Sequence, residues 1–463
     1  MIECPNCGGN LKFYIPLQRM YCKFCDSNFD PYEFDTKDKD GVESKNYDTT
    51  IFTCPECGGE IESTDNETTG FCPFCGGSTI FYQRLSKELK PDYVIPFTKT
   101  KEDCKEAYLK AAKKAFFLPK EYKDAKYIDG FRGIYMPYWS YDVSQNGPVS
   151  FKGEKTHRSG DYIIHDHYDI SGDMDSEYDG ITFDASSSFS DDISEKLAPF
   201  DVKKEVPFTA GFLSGFYSDR ADVGKGLYQS EARTFANDRT KAKIEKEPQL
   251  SGLSLKIKQN DIKSDITKTG RVLFPVWFMS YRKNDRIAYA TVNGQTGKVV
   301  ADFPIDLRKF FAFAGVLAVL LCLLFNLVFT FKPSTSIVIN GVLALFALIL
   351  YLMGTSRIKS RENRTDDKGY QNATSDGKDK TGDPKNPGAY KTRPLPIVTS
   401  IIAMIIAAIM VMSKSIHDER YYICNLIIAV LVSVTLVSLI KDYNLLITRR
   451  LPQFDKKGGD DRA

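Results

Sequence analysis

Cys4-Pro5-Asn6-Cys7-Gly8-Gly9 and Cys54-Pro55-Glu56-Cys57-Gly58-Gly59 are nearly one hexapeptide written twice, fifty positions apart. Each is followed after fourteen residues by a second Cys-x-x-Cys: Cys22 and Cys25, then Cys72 and Cys75. Two cysteines separated by two residues in a tight turn aim both sulfurs at one point. Two such knuckles facing each other supply the four-sulfur shell that zinc prefers. The glycines let the backbone reverse without a Cβ clash and free amide hydrogens to point at the sulfurs. A unit of roughly 25 residues cannot bury enough apolar surface to fold alone. Structural zinc, worth roughly 10–16 kcal/mol per site, supplies the difference. The pattern assigns two structural Zn2+ ions, one to Cys4, Cys7, Cys22 and Cys25 and one to Cys54, Cys57, Cys72 and Cys75. Disulfides, a redox pair or an iron–sulfur site are the rival uses. Four tandem knuckles with no βαβ pattern around them weigh against a redox pair, and disulfides need an oxidising compartment.

At 463 residues the chain has room for two or three domains. Residues 1–85 hold seven Lys/Arg and fourteen Asp/Glu, and two Zn(Cys)4 centres would each add −2. Lysine and arginine contacts to phosphate supply most nucleic-acid affinity, so ribbons this acidic are poor candidates for binding DNA or RNA. Protein docking, or a structural cap, suits them better.

Beyond the ribbons (1–85), residues 86–309 read as an α+β domain with a weak internal repeat. Thr100 and Asp103 form a capping box that opens a helix. Cys104, Tyr108, Ala111 and Ala115 share one face of it, and Pro119 ends it. A strand with Ile134–Tyr141 follows, containing Pro137-Tyr138-Trp139. The order recurs as a helix over roughly 225–246 and a strand with Leu273–Tyr281, containing Pro275-Val276-Trp277. Proline cannot donate to a ladder, so each strand is expected to pair on one side at that point. The aromatic residues read as core more readily than as a ligand cleft. A short strand near Phe29–Phe34, a flexible linker to the second ribbon and a meander through Arg286–Ala301 complete this part.

Residues 310–331 carry no charge and are long enough to span a bilayer core of about 30 Å. Only five residues separate them from a second apolar run, so 310–354 reads as a transmembrane hairpin and 395–440 as another. Asn326 and Asn340 should reach similar depth in the first hairpin and bond to each other. Between the hairpins, 355–394 has the composition of a disordered basic loop, and 441–463 that of a basic tail. The loop holds ten Lys/Arg and the tail six, against one and two in the opposite loops. With no signal peptide at the N-terminus, the positive-inside rule expects both termini in the cytosol of a multi-pass inner-membrane protein. A reducing cytosol also keeps the eight thiols available for zinc.

The knuckles resemble zinc ribbons of the transcription-factor-B and rubredoxin-like types. In chain context they resemble the N-terminus of a bacterial family of membrane-anchored double zinc-ribbon proteins. The Pro-x-Trp strands, Ala210–Asp222 (AGFLSGFYSDRAD) and Val292–Val300 (VNGQTGKVV) extend that likeness. It implies ribbons, an α+β domain and transmembrane helices, and for some relatives a scaffold role in a phage-shock-type membrane-stress system.

Chemistry elsewhere is sparse. The apolar runs contain no Asp, Glu, Lys, Arg or His, which argues against an ion pump. His165 and His167, with His157 and Asp161 near them, could chelate from one strand face, but a polar strand face explains them as well. Asp173, Asp175, Glu177 and Asp179 lack the glycine and glutamate of an EF-hand loop. Cys322 and Cys424 read as packing residues. No phosphate loop, nucleophile elbow or His-Glu-x-x-His is present. The reading is therefore multi-domain: two small β zinc ribbons, a cytosolic α+β domain and an α-helical membrane domain of four spans. The role expected of it is a non-enzymatic scaffold at the lipid bilayer, recruiting a cytosolic or membrane protein partner. A redox or zinc sensor and a nucleic-acid-binding protein are the alternatives.

Overall fold

The computed structural model describes residues 2–34, 45–64, 72–78, 81–258, 261–328, 333–362, 367–369, 371, 390, 392–413 and 418–451. Strands β1 (Leu11–Tyr14), β2 (Arg19–Cys22) and β3 (Asn28–Phe29) form the small antiparallel sheet of the first ribbon. The second ribbon contributes β4 (Asn46–Thr53), β5 (Glu60–Ser63) and β6 (Tyr82–Leu89). The body follows with β7 (Tyr93–Val94), helix α1 (Lys101–Lys114), β8 (Arg132–Ser159), β9 (Tyr162–Asp184), α2 (Asp191–Leu197), β10 (Val206–Pro207) and β11 (Tyr217–Asp219). Then come α3 (Gln229–Ile244), β12 (Ser254–Lys256), β13 (Asp265–Lys283), β14 (Arg286–Asn293) and β15 (Val299–Ala301).

The second ribbon is not a detached module. Its β5 pairs with β11 (Glu62↔Ser218, Ile61↔Asp219), which joins the ribbon to the sheet of the body. The expected boundary at 85/86 falls inside β6, because β6 pairs with β4 over all eight of its residues. The first ribbon keeps its own sheet but docks on the body. The Phe13 amide donates to the Ser214 carbonyl (3.0 Å), and the Phe13 and Phe212 rings lie 5.1 Å apart. The linker expected between the ribbons lies largely outside the described residues.

The internal repeat is a two-fold arrangement. At the sheet centre β8 and β13 run antiparallel with Met136 opposite Phe274, and the 138-residue offset of that pair also relates Pro137 to Pro275 and Trp139 to Trp277. Each long strand takes the short strand of the other half in parallel: β7 lies on β13 (Tyr93↔Val272) and β11 on β8 (Tyr217↔Ile134). Each indole donates to a carbonyl just ahead of a helix, Trp277 to Lys99 and Trp139 to Val223, both at 2.8 Å. The capping box at Thr100 forms as the sequence implies, and the buried face of α1 is Cys104, Tyr108 and Ala112.

The prolines have neighbours on both sides, and each sits where the outer neighbour changes. Beside Pro275 the partner switches from β7 to β14, and the Pro275 carbonyl accepts from Gly294 (2.8 Å). Beside Pro137 it switches from β11 to β9, and the carbonyl accepts from Ala185 (2.9 Å). The missing N–H thus falls at a break in the ladder. Phe97 stacks on Phe216 at 4.5 Å and meets Tyr135 and Trp277 at 5.0 and 5.2 Å. These aromatic rings fill the core.

The described residues include four helices long and apolar enough to cross a membrane: α4 (Leu307–Val328), α5 (Pro333–Glu362), α6 (Pro394–Met412) and α7 (Asp418–Ile447). Helices α5, α6 and α7 pack together through small residues. A Cβ on Gly341 would stand 3.0 Å from that of Ala407, the close approach that drives helix association in lipid. No residue of the α4 span Leu307–Leu324 is buried, so the first apolar pair is not the packed hairpin the sequence suggests. Accordingly, Asn340 donates to Asn425 of α7 at 2.8 Å. The side chain of Asn326, its expected partner, lies outside the described residues.

Helices α5 and α7 outrun their apolar stretches toward the head. Residues 355–362, expected in a disordered loop, continue α5, and 441–447, expected in the basic tail, continue α7. The chain then forms β16 (Arg449–Arg450), which pairs with β14. At α4, Phe310 lies 5.1 Å from Phe117, and Lys309 donates to the Leu118 carbonyl. The Asn444 amide both donates to and accepts from the Ile305 backbone at 2.8 Å.

Candidate metal centres

One turn is built four times. In three knuckles the residue after the second cysteine is glycine in the left-handed region: Gly8, Gly58 and Gly76, at φ 73°, 74° and 70°. The fourth uses Asp26 at φ 58°, a residue that tolerates that conformation. In each, the amide there donates to the carbonyl of the first cysteine, as Gly8 does to Cys4 and Gly58 to Cys54, both at 2.8 Å. The amides of Gly9, Ser27 and Gly77 point at the sulfurs of Cys7, Cys25 and Cys75, as zinc thiolates require of their surroundings. The third copy of the hexapeptide, Cys72-Pro73-Phe74-Cys75-Gly76-Gly77, is a signal the two-copy reading of the sequence passes over.

The sulfurs converge. Cys4 and Cys25 stand 3.6 Å apart and Cys7 and Cys22 3.4 Å. In the second quartet Cys54 and Cys75 stand 3.8 Å apart and Cys57 and Cys72 3.7 Å. A tetrahedron with zinc–sulfur bonds of about 2.3 Å has edges near 3.8 Å, whereas a disulfide would bring the sulfurs to about 2.05 Å. Each quartet keeps its four ligand atoms within 4.8 Å of one another. Both are positioned to hold zinc.

The two centres differ in exposure. Cys54, Cys57, Cys72 and Cys75 are all buried, whereas Cys7 and Cys25 are exposed. Phe24 and Phe74 occupy the same knuckle position, yet Phe24 is 78% exposed and Phe74 2%. The reason is the body: Tyr289 donates to the Phe74 carbonyl (2.6 Å), Arg282 pairs with Glu56, and a Cβ on Gly76 would press on Arg282 at 3.2 Å.

The seam between β5 and β11 is acidic and buried. Burial pushes Glu62 up to about 7, against a 2.7 Å bond from the Tyr47 hydroxyl and the nearby Arg220 and Arg271. Burial likewise pushes Asp219 up to about 7, while Ser186 and Ser188 donate to it. A carboxyl whose folded pKa is raised stabilises the fold while protonated, and that contribution is lost as pH rises from about 4.5 through 7. We expect Glu62→Gln to keep the Tyr47 bond and to flatten the fall in melting temperature between pH 5 and pH 7. Parallel melting scans of variant and wild type check this.

His165 and His167 share a face of β9 but meet carboxylates or solvent. His165 Nδ1 lies 2.7 Å from Glu154, and His157 Nδ1 lies 3.4 Å from Asp166. Among the described residues, the cysteine quartets are the groupings of potential metal ligands that converge, and neither the histidines nor Asp161 belong to one. Asp173, Asp175, Glu177 and Asp179 lie exposed along β9. A shallow cavity beside the aromatic strands is lined by Tyr93, Asp142, Asp179, Glu205 and Lys268, without the histidines. Cys104 is buried in α1, Cys322 is exposed on α4 and Cys424 half-buried on α7.

The chain is similar to the uncharacterized protein YdjG of Bacillus subtilis (strain 168), with 29% identity over 322 residues that span 68% of this chain and 93% of that protein. No family model and no solved structure matches the chain.

Proposed function

We propose that this membrane-anchored zinc-binding protein is a scaffold whose head recruits a protein partner, and that it binds rather than catalyses. The observation that carries the reading is the closure of both centres. Four sulfurs leave no coordination position for a substrate or an activated water, and the second quartet braces the sheet of the head. Zinc then shapes a surface. We place that head, with both termini, in the cytosol on the charge of the loops, and the resemblance to membrane-stress scaffolds supplies the setting. Affinity purification from membranes in mild detergent tests it. The intact protein is expected to retain one specific companion that a Cys54→Ser/Cys57→Ser variant loses. Identical companions on both, or none on either, would count against it.

The exposed edge of the first quartet favours a second reading, a redox or zinc sensor. Thiolates react according to access, so mild peroxide is expected to release zinc from Cys4, Cys7, Cys22 and Cys25 well before the buried quartet. Zinc release followed with a chromogenic chelator, with alkylation mapping of the freed thiols, checks the order. Simultaneous release from both quartets would remove the basis for a sensor.

A further inference from the structure

The head carries an arm that neither the metal centres nor the membrane helices explain. Strands β8 and β9 stay paired to Ser159↔Tyr162, well past Ser144↔Asp265 where β13 leaves them. On its other side β8 is joined by β12 as far as Glu154. Beyond that, Lys155↔Asp166 to Ser159↔Tyr162 stand as a two-stranded ribbon closed at Gly160 (φ 61°). Five pairs at about 3.3 Å per residue project roughly 17 Å. A lone two-stranded hairpin is marginal in water.

The charge of β9 is one-sided, whereas the paired β8 carries Lys152, Lys155 and Arg158. Between 159 and 179 the chain has seven Asp/Glu and no Lys or Arg. Asp169, Asp173, Asp175, Glu177 and Asp179 share one face of β9 and are exposed. The opposite face carries Ile170 and Met174, packed on a small core with Val149 and Phe151. It continues outward to Tyr168, Ile164 and Tyr162, exposed by 43, 39 and 78%, with Asp166 between the first two, beside His157. Among the described residues β9 pairs with β8 alone, so its outer edge offers backbone donors and acceptors along most of its length.

Edges are commonly protected by charge. A merely protected edge, however, has no reason to show three large apolar side chains in line beside it. The carboxylates also select the occupant. A second copy would set seven acidic residues against seven. The bilayer is at the other end of the molecule: β8 begins opposite Phe278, near the β13–β14 turn where Arg286 binds the base of α7, and runs away from it. We infer that the free edge of β9, from Tyr162 to Tyr178, takes an extended basic segment of a partner protein as an added strand. Lysines or arginines of that segment fall beside Asp169–Asp179, and its alternate apolar side chains fall beside Tyr168 and Ile164. This deepens the scaffold reading and rests on it.

The test uses the full-length protein in detergent and a fluorescent peptide alternating lysine and valine. Its control is the same peptide with alternate backbone nitrogens methylated, equal in charge but unable to pair as a strand. The plain peptide is expected to bind about tenfold more tightly than the methylated one. That preference should vanish in Asp169→Asn/Asp173→Asn/Asp175→Asn/Glu177→Gln and in Tyr162→Ser/Ile164→Ser/Tyr168→Ser. All seven positions are solvent-facing, and unchanged zinc content confirms that each variant folds. Equal binding of both peptides, or a preference surviving in both variants, would overturn the inference. So would self-association or capture by anionic vesicles that the tyrosine–isoleucine variant abolishes. If that happens while the companion seen by affinity purification stays bound, the edge is wrong and the scaffold stands.

Discussion

Replacing Cys57 with serine is expected to unzip one side of the head, not merely a ribbon. Strand β5 lies between β4 and β11, and the cysteines of its quartet are packed with Phe52, Ile61, Phe74 and Phe81 in one buried cluster. Structural zinc is worth roughly 10–16 kcal/mol, as much as the whole stability of an ordinary domain at about 5–15 kcal/mol. The hydrophobic cluster alone cannot replace it. Hydrogen exchange in the Cys57→Ser protein should therefore show β4, β5, β6 and β11 losing protection together. The counterpart Cys7→Ser should expose β1 to β3 and leave β4 to β6 protected, since the first ribbon has its own sheet. Zinc stoichiometry is expected to fall from two to one in each. Protection of β5 and β11 that survives loss of the second zinc would mean that the sheet holds the metal, and not the reverse.

What could be read in the sequence was whatever is encoded locally. Cysteine spacing brings the sulfurs together because a Cys-x-x-Cys turn is fixed by a few residues. The Thr100–Asp103 cap is likewise local, and the four apolar runs need only length. The duplication is visible because the chain's two tryptophans, Trp139 and Trp277, each stand two residues after a proline at matched places. Its two-fold geometry is not, since each short strand crosses to the other half. The joining of the second ribbon to the body rests on Glu62↔Ser218 and Ile61↔Asp219, a pairing over some 150 residues by a three-residue strand with no period to detect. The arm was hard to read because the apolar positions of β9 (Tyr162, Ile164, Tyr168, Ile170, Met174) alternate with polar ones but are interrupted by Asp166 and Gly172, and nothing local shows that its outer edge stays unpaired. Depth in a hairpin pairs Asn340 with Asn326, but Asn340 bonds to Asn425 of α7, since depth alone does not choose among helices.

Arg286→Ala is expected to loosen the end of α7 and β16 on the head while both remain folded and Asn444 stays bound to Ile305. The guanidinium donates to the carbonyls of Leu445 (2.7 Å) and Thr448 (2.6 Å), to the Thr448 hydroxyl (2.7 Å) and to Glu362 (2.7 Å). It therefore caps the last turn of one long helix, whose carbonyls have no partner within the helix, and neutralises a carboxylate at the end of another. Glu362 has a side chain only 5% exposed, at a helix C-terminus where negative charge is unfavourable. Leaving a buried charge wholly unpaired costs about 3–5 kcal/mol; Arg450 still faces Glu362, so the cost here is smaller, and it falls at the junction because the head and the bundle keep separate cores. Strand β16 has two residues that pair with Arg286 and Ile287, and it is held otherwise by the ion pairs of Arg450 with Glu362 and Arg449 with Asp192, so loss of the cap weakens a short junction. Trypsin is expected to cut after Arg449 and Arg450 much faster in Arg286→Ala, with zinc content unchanged. Arg286→Lys should restore little, since an ammonium cannot reproduce the fork of bonds. Glu362 also pairs with Arg450 of β16, so adding Glu362→Gln to Arg286→Ala should speed cleavage further, whereas equal cleavage of single and double variants would show that the carboxylate does not hold this end of the chain. Because Arg286 sits at the start of β14, whose Tyr289 binds the buried metal knuckle at Phe74, the same experiment reports whether strain at the membrane reaches the second zinc. Loss of protection in Phe74–Gly77 alongside β16 would trace that path through β14.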